Sequence, residues 1–326
     1  MAREFIDGWE SGDSDLWDTR SNDLTISSAG LDMDGDYCLS LINSVSYVEK
    51  NVTDNDEGYF AFLWRPQSPS DHQPIILFYS GSAYLSALFR NSTTNNLDIY
   101  RGTTVIASGT KNIVNDVTYL VEVRFKIADA GGRFVVKVDD VTDIDFTGDT
   151  QESTYTQFNR VRLGYYASTY FAAAYYDNFR MDNAGWIGTS RIQAKIPSGV
   201  GNSTNWTPSA GANWQCIDER PASDVDYNKI NSNNITDTYL TDNLTGSINS
   251  IKCVQGQSRT RTEGTPTPTN LKLVTRRSGT DYLSGDKAIS ATYKSLFNIW
   301  ETDPSTSVAW TESGVNAAES GIRSAA

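Results

Sequence analysis

The stretch from residue 170 to residue 182, YFAAAYYDNFRMD, has the strongest strand character in the sequence. A regular strand would place five apolar side chains on one face, namely Phe171, Ala173, Tyr175, Phe179 and Met181. Asp177 interrupts that apolar row, and it needs a partner because an unpaired buried charge is costly. The stretch therefore predicts a buried β-strand that carries one carboxylate with a special role.

Shorter segments of the same kind run through residues 1–183, each bounded by Gly, Asn, Asp, Ser or Pro. In residues 117–127, Val121, Val123 and Phe125 alternate with charged residues, so one face of that strand is apolar and the other is polar. No stretch shows the period of a convincing amphipathic helix. Repeated strands with one apolar face predict an antiparallel two-sheet sandwich of the jelly-roll type.

The chain has 326 residues, more than a single hydrophobic core usually supports, so two domains are expected. The boundary is predicted at Asn183-Ala-Gly-Trp186, where the charge balance changes and the loops lengthen. Residues 1–183 and 184–326 are therefore predicted to form two β-sandwich domains, which makes the protein all-β.

The formal net charge of −13 lies in the first of these two segments. Residues 1–183 contain 14 Lys and Arg against 27 Asp and Glu, whereas residues 184–326 contain 13 of each. Nucleic-acid affinity comes mainly from cationic side chains that neutralise phosphates, so this charge argues against a nucleic-acid partner. The sequence has no secretory signal and no run near the ~20 apolar residues of a membrane span, which predicts a soluble protein without membrane insertion.

Motifs for catalysis are weak. Glycoside hydrolysis needs two carboxyl groups at a fixed separation, and the acidic residues 138–146 contain no glutamate. The single histidine, His72, has no serine motif nearby that would indicate a Ser–His–Asp site. Phosphate-binding loops, zinc-ligand spacing and dinucleotide fingerprints are also missing from the sequence. We therefore predict that the protein is not an enzyme.

The first segment resembles concanavalin A-like, laminin-G-like jelly rolls. The resemblance lies in FIDGWESGD at residues 5–13, GRFVVKVDD at 132–140, TDIDFTGDT at 142–150 and YYDNFRMD at 175–182. In such domains the first and last strands meet. The resemblance implies a concanavalin A-like jelly roll over residues 1–183.

The second segment resembles a module of tailed-bacteriophage structural proteins, through GWIGTSRIQAKIPSGVGNSTNWTPSAGANWQCIDE at residues 185–219 and TDPSTSVAWTESGVNAAESGI at 302–322. The resemblance implies a non-enzymatic virion component, in the tail, neck, fibre or capsid decoration, made in the cytoplasm of the bacterial host. It implies a homo-oligomer that the second domain attaches to other virion proteins. The alternative is a lectin-like, carbohydrate-binding module that adheres to host glycans.

The resemblance to jelly-roll carbohydrate modules also implies a structural Ca²⁺ between the first and last strands. Asp7, Glu10 and Asp177 are the candidate ligands, because Ca²⁺ takes six to eight oxygen ligands and acidic side chains supply some of them. Otherwise Asp177 caps a neighbouring backbone group or pairs with an arginine such as Arg180 or Arg162.

Three tryptophans of the second segment, Trp206, Trp214 and Trp310, lie in predicted loops. Exposed indole rings stack on sugars or anchor protein interfaces, so these residues are the candidate binding residues. The alternative is that they fill the core of a small β domain.

Overall fold

The computed structural model describes residues 3–28, 33–42, 45–67, 72–165, 173–264 and 268–326. The chain forms two compact units. The first unit contains the residues up to Glu10 together with Trp17–Ile192, and the second contains Ser11–Leu16 together with Gln193–Ala326. The division between them thus falls at residue 192, and a short piece of the amino-terminal region belongs to the second unit.

The first unit is built from short antiparallel strands. They are β1 (Arg3–Asp7), β2 (Thr19–Arg20), β3 (Thr25–Ser28), β4 (Tyr37–Leu41), β5 (Tyr47–Asn55), β6 (Glu57–Pro66), β7 (Gln73–Ser80), β8 (Ala83–Arg90), β9 (Leu97–Arg101), β10 (Thr104–Ser108), β11 (Tyr119–Lys126), β12 (Gly132–Val138), β13 (Val141–Gly148), β14 (Phe158–Gly164) and β15 (Ala174–Asp182).

These strands form two large sheets that pack face to face. The eight-stranded sheet has the order β13-β12-β11-β6-β15-β4-β3 with β1 also paired to β15, and the seven-stranded sheet has the order β10-β9-β8-β7-β14-β5-β2. The ring of Phe78, from the seven-stranded sheet, lies 5.1 Å from Phe60 and 4.5 Å from Phe125 of the other sheet. Buried aromatic rings therefore form the core between the two sheets.

Strand β15 departs from the regular alternation that its sequence suggests. Its pairing with β6 is irregular between Asp177 and Arg180, and Asn178 has a positive φ of 51°. The shift places Tyr176 and Met181 opposite the core residues Trp64 and Phe60.

The predicted apolar row is therefore wrong for Tyr175 and Asp177, whereas Phe179 and Met181 of that row do face the core. Asp177 is opposite Leu63 on the other face of the sheet, which we call its outer face, and it is buried there. Phe171, the first residue of that row, lies outside the described residues.

The second unit contains β16 (Pro197–Thr204), β17 (Thr207–Pro208), β18 (Asn228–Lys229), β19 (Thr236–Thr241), β20 (Val254–Thr260), β21 (Asn270–Arg277), β22 (Thr280–Leu283), β23 (Lys287–Ala288), β24 (Lys294–Trp300), β25 (Thr302–Asp303), β26 (Val308–Ala309), β27 (Glu319–Ala325), the 3₁₀ helix Asn213–Cys216 and the helix α1 (Glu312–Asn316). Its main sheet has six strands, in the order β16-β19-β27-β21-β22 with β23 paired to β21. Trp206, Leu271 and Leu296 form a core cluster of this unit.

The fold class predicted from the sequence is confirmed. The protein is nearly all β, with 52% strand and 3% helix, and its antiparallel sheets are those of β-sandwich domains. Among the described residues, no helix is long and apolar enough to cross a membrane.

Candidate functional site

Tyrosines and arginines gather on the outer face of the seven-stranded sheet, opposite the core. The register places Arg160 beside Tyr79, and it places Arg162 between Glu49 and Leu77. Directly paired residues of an antiparallel sheet project to the same side. We define this Tyr–Arg face by seven residues of β5, β7, β8, β9 and β14, namely Tyr47, Glu49, Tyr79, Tyr84, Tyr100, Arg160 and Arg162.

Arg162 is held rigidly on the Tyr–Arg face. Its Nε donates to Glu49 Oε1 at 2.9 Å, its Nη2 lies 2.8 Å from the same oxygen, and its Nη1 donates to the carbonyl of Tyr165 at 3.0 Å. Its guanidinium also lies over the Tyr47 ring, 4.4 Å from the ring centre. All nitrogens of this side chain are therefore engaged, and Glu49, which is buried, is the fixed anion beside it.

Arg160 is placed differently. Its guanidinium lies 4.6 Å from the centre of the Tyr79 ring, and its Nε is 3.5 Å from Glu49 Oε1. That Nε is buried and donates no hydrogen bond within the part of the chain that the structure describes. The Arg160 side chain keeps 23% of its surface exposed. It is therefore oriented by a cation–π contact and a long ion pair, and its outer end reaches solvent.

Aromatic rings continue the Tyr–Arg face across β7, β8 and β9. Tyr79 and Tyr84 lie 5.7 Å apart, and Phe89 and Tyr100 lie 4.9 Å apart. Tyr84 and Tyr100 are half-buried and pack on a cluster of buried residues that includes Leu77 and Phe89. Tyr79 itself is buried, so Tyr84 and Tyr100 are the two rings of this group that are partly accessible.

The outer face of the eight-stranded sheet is covered by residues 183–192, which we call the covering segment. The amide of Gly188 donates to Glu122 at 2.8 Å, and Nη1 of Arg180 bonds to the carbonyl and hydroxyl oxygens of Ser190. Trp186 packs edge-on against Tyr59 at 5.7 Å. Glu122 and Nη1 of Arg180 are therefore bonded to the covering segment, whereas Nε and Nη2 of Arg180 are buried without a hydrogen-bond partner among the described residues.

Two of the predicted calcium ligands, Glu10 and Asp177, lie near residues 34–37. Glu10 accepts hydrogen bonds from the amides of Asp36 and Tyr37, at 3.0 and 3.3 Å. Gly35, at φ 71°, allows this approach, because a Cβ there would overlap the Glu10 carboxylate. Loop 34–37 is thereby wrapped around Glu10.

Asp177 lies close to the same loop. Its Oδ1 accepts a hydrogen bond from the Asn178 amide at 2.5 Å, and its buried Oδ2 has no hydrogen-bond partner among the described residues. Burial, with the negative charges of Glu10 and Asp34, raises the pKa of Asp177 to about 8. The predicted cap on a neighbouring backbone group is thus present, whereas Arg162 belongs to the other sheet.

Asp7 is engaged elsewhere. Its Oδ1 accepts from the amide of Trp9 at 2.7 Å, and its Oδ2 accepts from the indole of Trp17 at 2.9 Å. Glu10 and Asp177 therefore come together, with Asp34 beside them, while Asp7 orients two buried tryptophans. The described residues contain no group of three or more His, Cys, Asp or Glu suited to a metal ion. The three predicted ligands do not fit a calcium ion as a set, and calcium binding stays a prediction.

The candidate binding tryptophans of the second unit are mostly internal. Trp206 is 8% exposed and its indole donates to the carbonyl of Ile235, whereas Trp310 is 3% exposed and donates to the carbonyl of Trp300. Trp214 is half-buried in the 3₁₀ helix. The expected exposure is therefore wrong for Trp206 and Trp310, because these rings fill the core of a small β unit.

No protein-family model and no curated protein matches the chain. Among solved structures it is similar to an endo-β-1,4-glucuronan lyase from the fungus Trichoderma reesei, with 15% identity, a TM-score of 0.43, and coverage of 56% of this chain and 96% of that one. It is also similar to the cellulose-induced protein Cip1, with 12% identity, a TM-score of 0.45, and coverage of 57% of this chain and 100% of Cip1. It is also similar to a Trypanosoma rangeli sialidase in complex with sialic acid, with 12% identity and a TM-score of 0.38. That match covers 49% of this chain and 27% of the sialidase.

These matches correct the prediction that the chain is not an enzyme. The similar solved structures include a lyase and a sialidase, so the fold does not support excluding an enzymatic activity. The sequence argument looked only for paired carboxylates and a Ser–His–Asp set. Tyrosine also serves as an acid or base and arginine stabilises developing charge, so that search was too narrow. At this identity and TM-score, the likeness gives no reaction for this chain.

Proposed function

We propose that the first unit binds glycans through the Tyr–Arg face. The observation that carries the proposal is that the half-buried Tyr84 and Tyr100 lie on the same sheet face as the Arg160 guanidinium, which keeps part of its surface exposed. Aromatic rings pack on the apolar faces of sugars, and their polar edges, with guanidinium groups, bond to sugar hydroxyls. A rigid sheet also holds these groups ready for a ligand, which lowers the entropic cost of binding.

The setting we propose is the particle of a tailed phage. The resemblance of the second segment to a phage structural module supports this, and so does the even charge of residues 184–326, which suits contacts with other proteins. The second unit then attaches the protein to virion proteins, as part of a homo-oligomer, and the first unit adheres to host glycans. Copurification with phage particles, followed by labelling of the protein on them, tests this setting. Absence from purified particles would refute it.

The glycan proposal is tested by binding to an array of bacterial surface polysaccharides. Tyr100→Ala and Tyr84→Ala should weaken retention of any bound glycan. Tyr155→Ala is the matched control, because Tyr155 is an exposed tyrosine of the same unit outside the Tyr–Arg face. Equal loss in all three variants, or no binding by the unsubstituted protein, would refute the proposal. The same samples, assayed for released sugar, show whether binding is accompanied by cleavage.

A further inference from the structure

We infer that the Tyr–Arg face selects glycans in which a single carboxylated sugar lies among neutral sugars, and that Arg160 contacts that carboxylate. This inference rests on the proposed glycan binding and names the class of ligand. It follows from the charge of the face, the different bonding of its two arginines, and the charge of the surrounding unit.

Arg160 and Arg162 share one carboxylate, that of Glu49, so the centre of the Tyr–Arg face keeps one positive charge in excess. Glu49 is nearly fully buried at 4% side-chain exposure, so its charge is committed to the arginines and not to solvent. A ligand group of one negative charge is therefore the electrostatic complement of this centre.

The two arginines differ in the hydrogen-bond donors that they can offer to a ligand. The three nitrogens of Arg162 are occupied by Glu49 and by the Tyr165 carbonyl. In the described residues, Arg160 has only its long ion pair with Glu49 and its contact with the Tyr79 ring, so its two terminal nitrogens remain available as donors. A planar guanidinium with two parallel donors matches the geometry of a carboxylate. Arg160 is thus the binding residue, and Arg162 and Tyr79 position it.

The negative charge of the first unit limits how many charged sugars the ligand can carry. Residues 1–183 carry a net charge of −13, which repels a polymer with a charge on every sugar. A carboxylate that occurs once in a stretch of neutral sugars avoids most of this repulsion and still reaches Arg160. In this inference the neutral neighbours contact the exposed parts of Tyr84 and Tyr100, which are half-buried. Sparse acidic sugars therefore fit the Tyr–Arg face better than a uniformly charged chain.

The test uses the full chain and a bacterial capsular polysaccharide with one glucuronic acid per repeating unit. It compares this polymer with the same polymer after reduction of its carboxyl groups to hydroxymethyl groups, and with polygalacturonate. We expect the native polymer to bind about tenfold tighter than the reduced one, which corresponds to one charge-assisted hydrogen bond. Polygalacturonate should bind more weakly than the native capsular polymer.

Variants locate the effect. Arg160→Gln should remove the preference, so that the native and reduced polymers bind with equal affinity, whereas Arg160→Lys should keep part of the preference. Arg133→Gln is the control, because it removes the same charge from an ion pair with Asp145 on the other sheet. That control should change neither affinity.

The outcomes separate this inference from the proposed function. Equal affinity for native and reduced polymers, a preference that survives Arg160→Gln, or tighter binding of polygalacturonate would overturn the inference and leave glycan binding standing. Failure to bind any of the three polymers would also overturn the inference, whereas the proposed function is refuted by the absence of binding to the array of surface polysaccharides.

Discussion

The two outer faces of the first unit carry polar residues in different ways. On the eight-stranded sheet, Glu122, Asn178 and Arg180 are at most 2% exposed, and each is bonded to the covering segment. On the seven-stranded sheet, Arg160 and Tyr100 are half-buried and reach solvent. Buried polar groups need internal partners, whereas a partly exposed guanidinium can also contact a ligand. The first face therefore stabilises the fold, and the second is the face that we propose for recognition.

The largest expected effect concerns Asp177 and pH. Its pKa is about 8 in the folded protein, compared with an ordinary value of 3.8, so the folded state holds a proton that the unfolded chain releases between these values. The contribution of Asp177 to the free energy of unfolding is therefore fully present below pH ~4. It decreases as the pH rises towards ~8, by up to about 1.4 kcal/mol per pH unit. Chemical denaturation of the cation-free protein across this range measures the slope, and Asp177→Asn should remove it.

The predicted calcium ion gives the opposite response at the same residue. A cation beside Glu10 and Asp177 would favour the ionised carboxylate, so calcium would raise the melting temperature at pH 7 and Asp177→Asn would cancel that increase. An unchanged melting temperature with calcium and with chelator would dispose of the calcium site. A pH slope that persists in Asp177→Asn would instead show that another group titrates.

The next effect concerns Asn178, which lies in the irregular part of β15. Its side chain donates to Asp34 at 2.8 Å and accepts from the amide of Ile192 at 2.6 Å, so it fastens both loop 34–37 and the covering segment. Asn178→Ala should cost about 2–3 kcal/mol, because it leaves buried partners unsatisfied and puts alanine at a positive φ. Urea denaturation measures this change.

Asn159→Ala is the matched control for that substitution. Asn159 also makes two side-chain hydrogen bonds, to Gly81 and Asp54, but it is half-buried, so water replaces its partners. We expect a loss below about 1 kcal/mol. Equal losses in the two variants would mean that the covered face is no more dependent on its internal bonds than the rest of the surface.

A smaller effect is expected for binding at the Tyr–Arg face. Tyr100→Ala should lower the affinity for a bound glycan by about three- to tenfold, which is the usual contribution of one aromatic contact. Calorimetric titration measures the affinity, and the melting temperature shows whether the fold is intact. Full affinity in a folded variant would remove Tyr100 from the binding residues.

The smallest effect concerns Lys137, whose ammonium lies 3.8 Å from the centre of the Trp186 ring in the covering segment. Lys137→Met keeps most of the aliphatic contact and removes the cation, so stability should fall by only about 0.5–1 kcal/mol. Glycan affinity should be unchanged, because this residue lies on the other sheet. A loss of glycan affinity would contradict the assignment of the two faces.

The sequence allowed the strands and the fold class to be predicted, because alternation in β11 and β12 is regular and repeated. It also contained a signal for the Tyr–Arg face that went unused. In β14, Arg160 and Arg162 alternate with the core residues Val161 and Leu163, which places both arginines away from the core. The cross-strand neighbours Glu49 and Tyr79 could not be predicted, because they depend on the order and register of β5, β7 and β14.

The errors also have physical causes. The irregular pairing at Asp177 changes which side chains of β15 face the core. No local sequence pattern predicts where such an irregularity occurs. Trp206 and Trp310 lie in segments that read as polar loops, yet each indole donates to a backbone carbonyl inside the second unit. In a small β unit, large rings in loops complete the core because the strands alone supply too little apolar surface.

Hydroxyl-radical footprinting, with and without a bound polysaccharide, tests most directly which face recognises the ligand. Tyr84 and Tyr100 report on the Tyr–Arg face, and Tyr59 and Trp186, both half-buried, report on the covered face. We predict that glycan slows oxidation of Tyr84 and Tyr100 and leaves the rates of Tyr59 and Trp186 unchanged. Protection of Tyr59 and Trp186 with unchanged oxidation of Tyr84 and Tyr100 would contradict the assignment of recognition to the seven-stranded sheet.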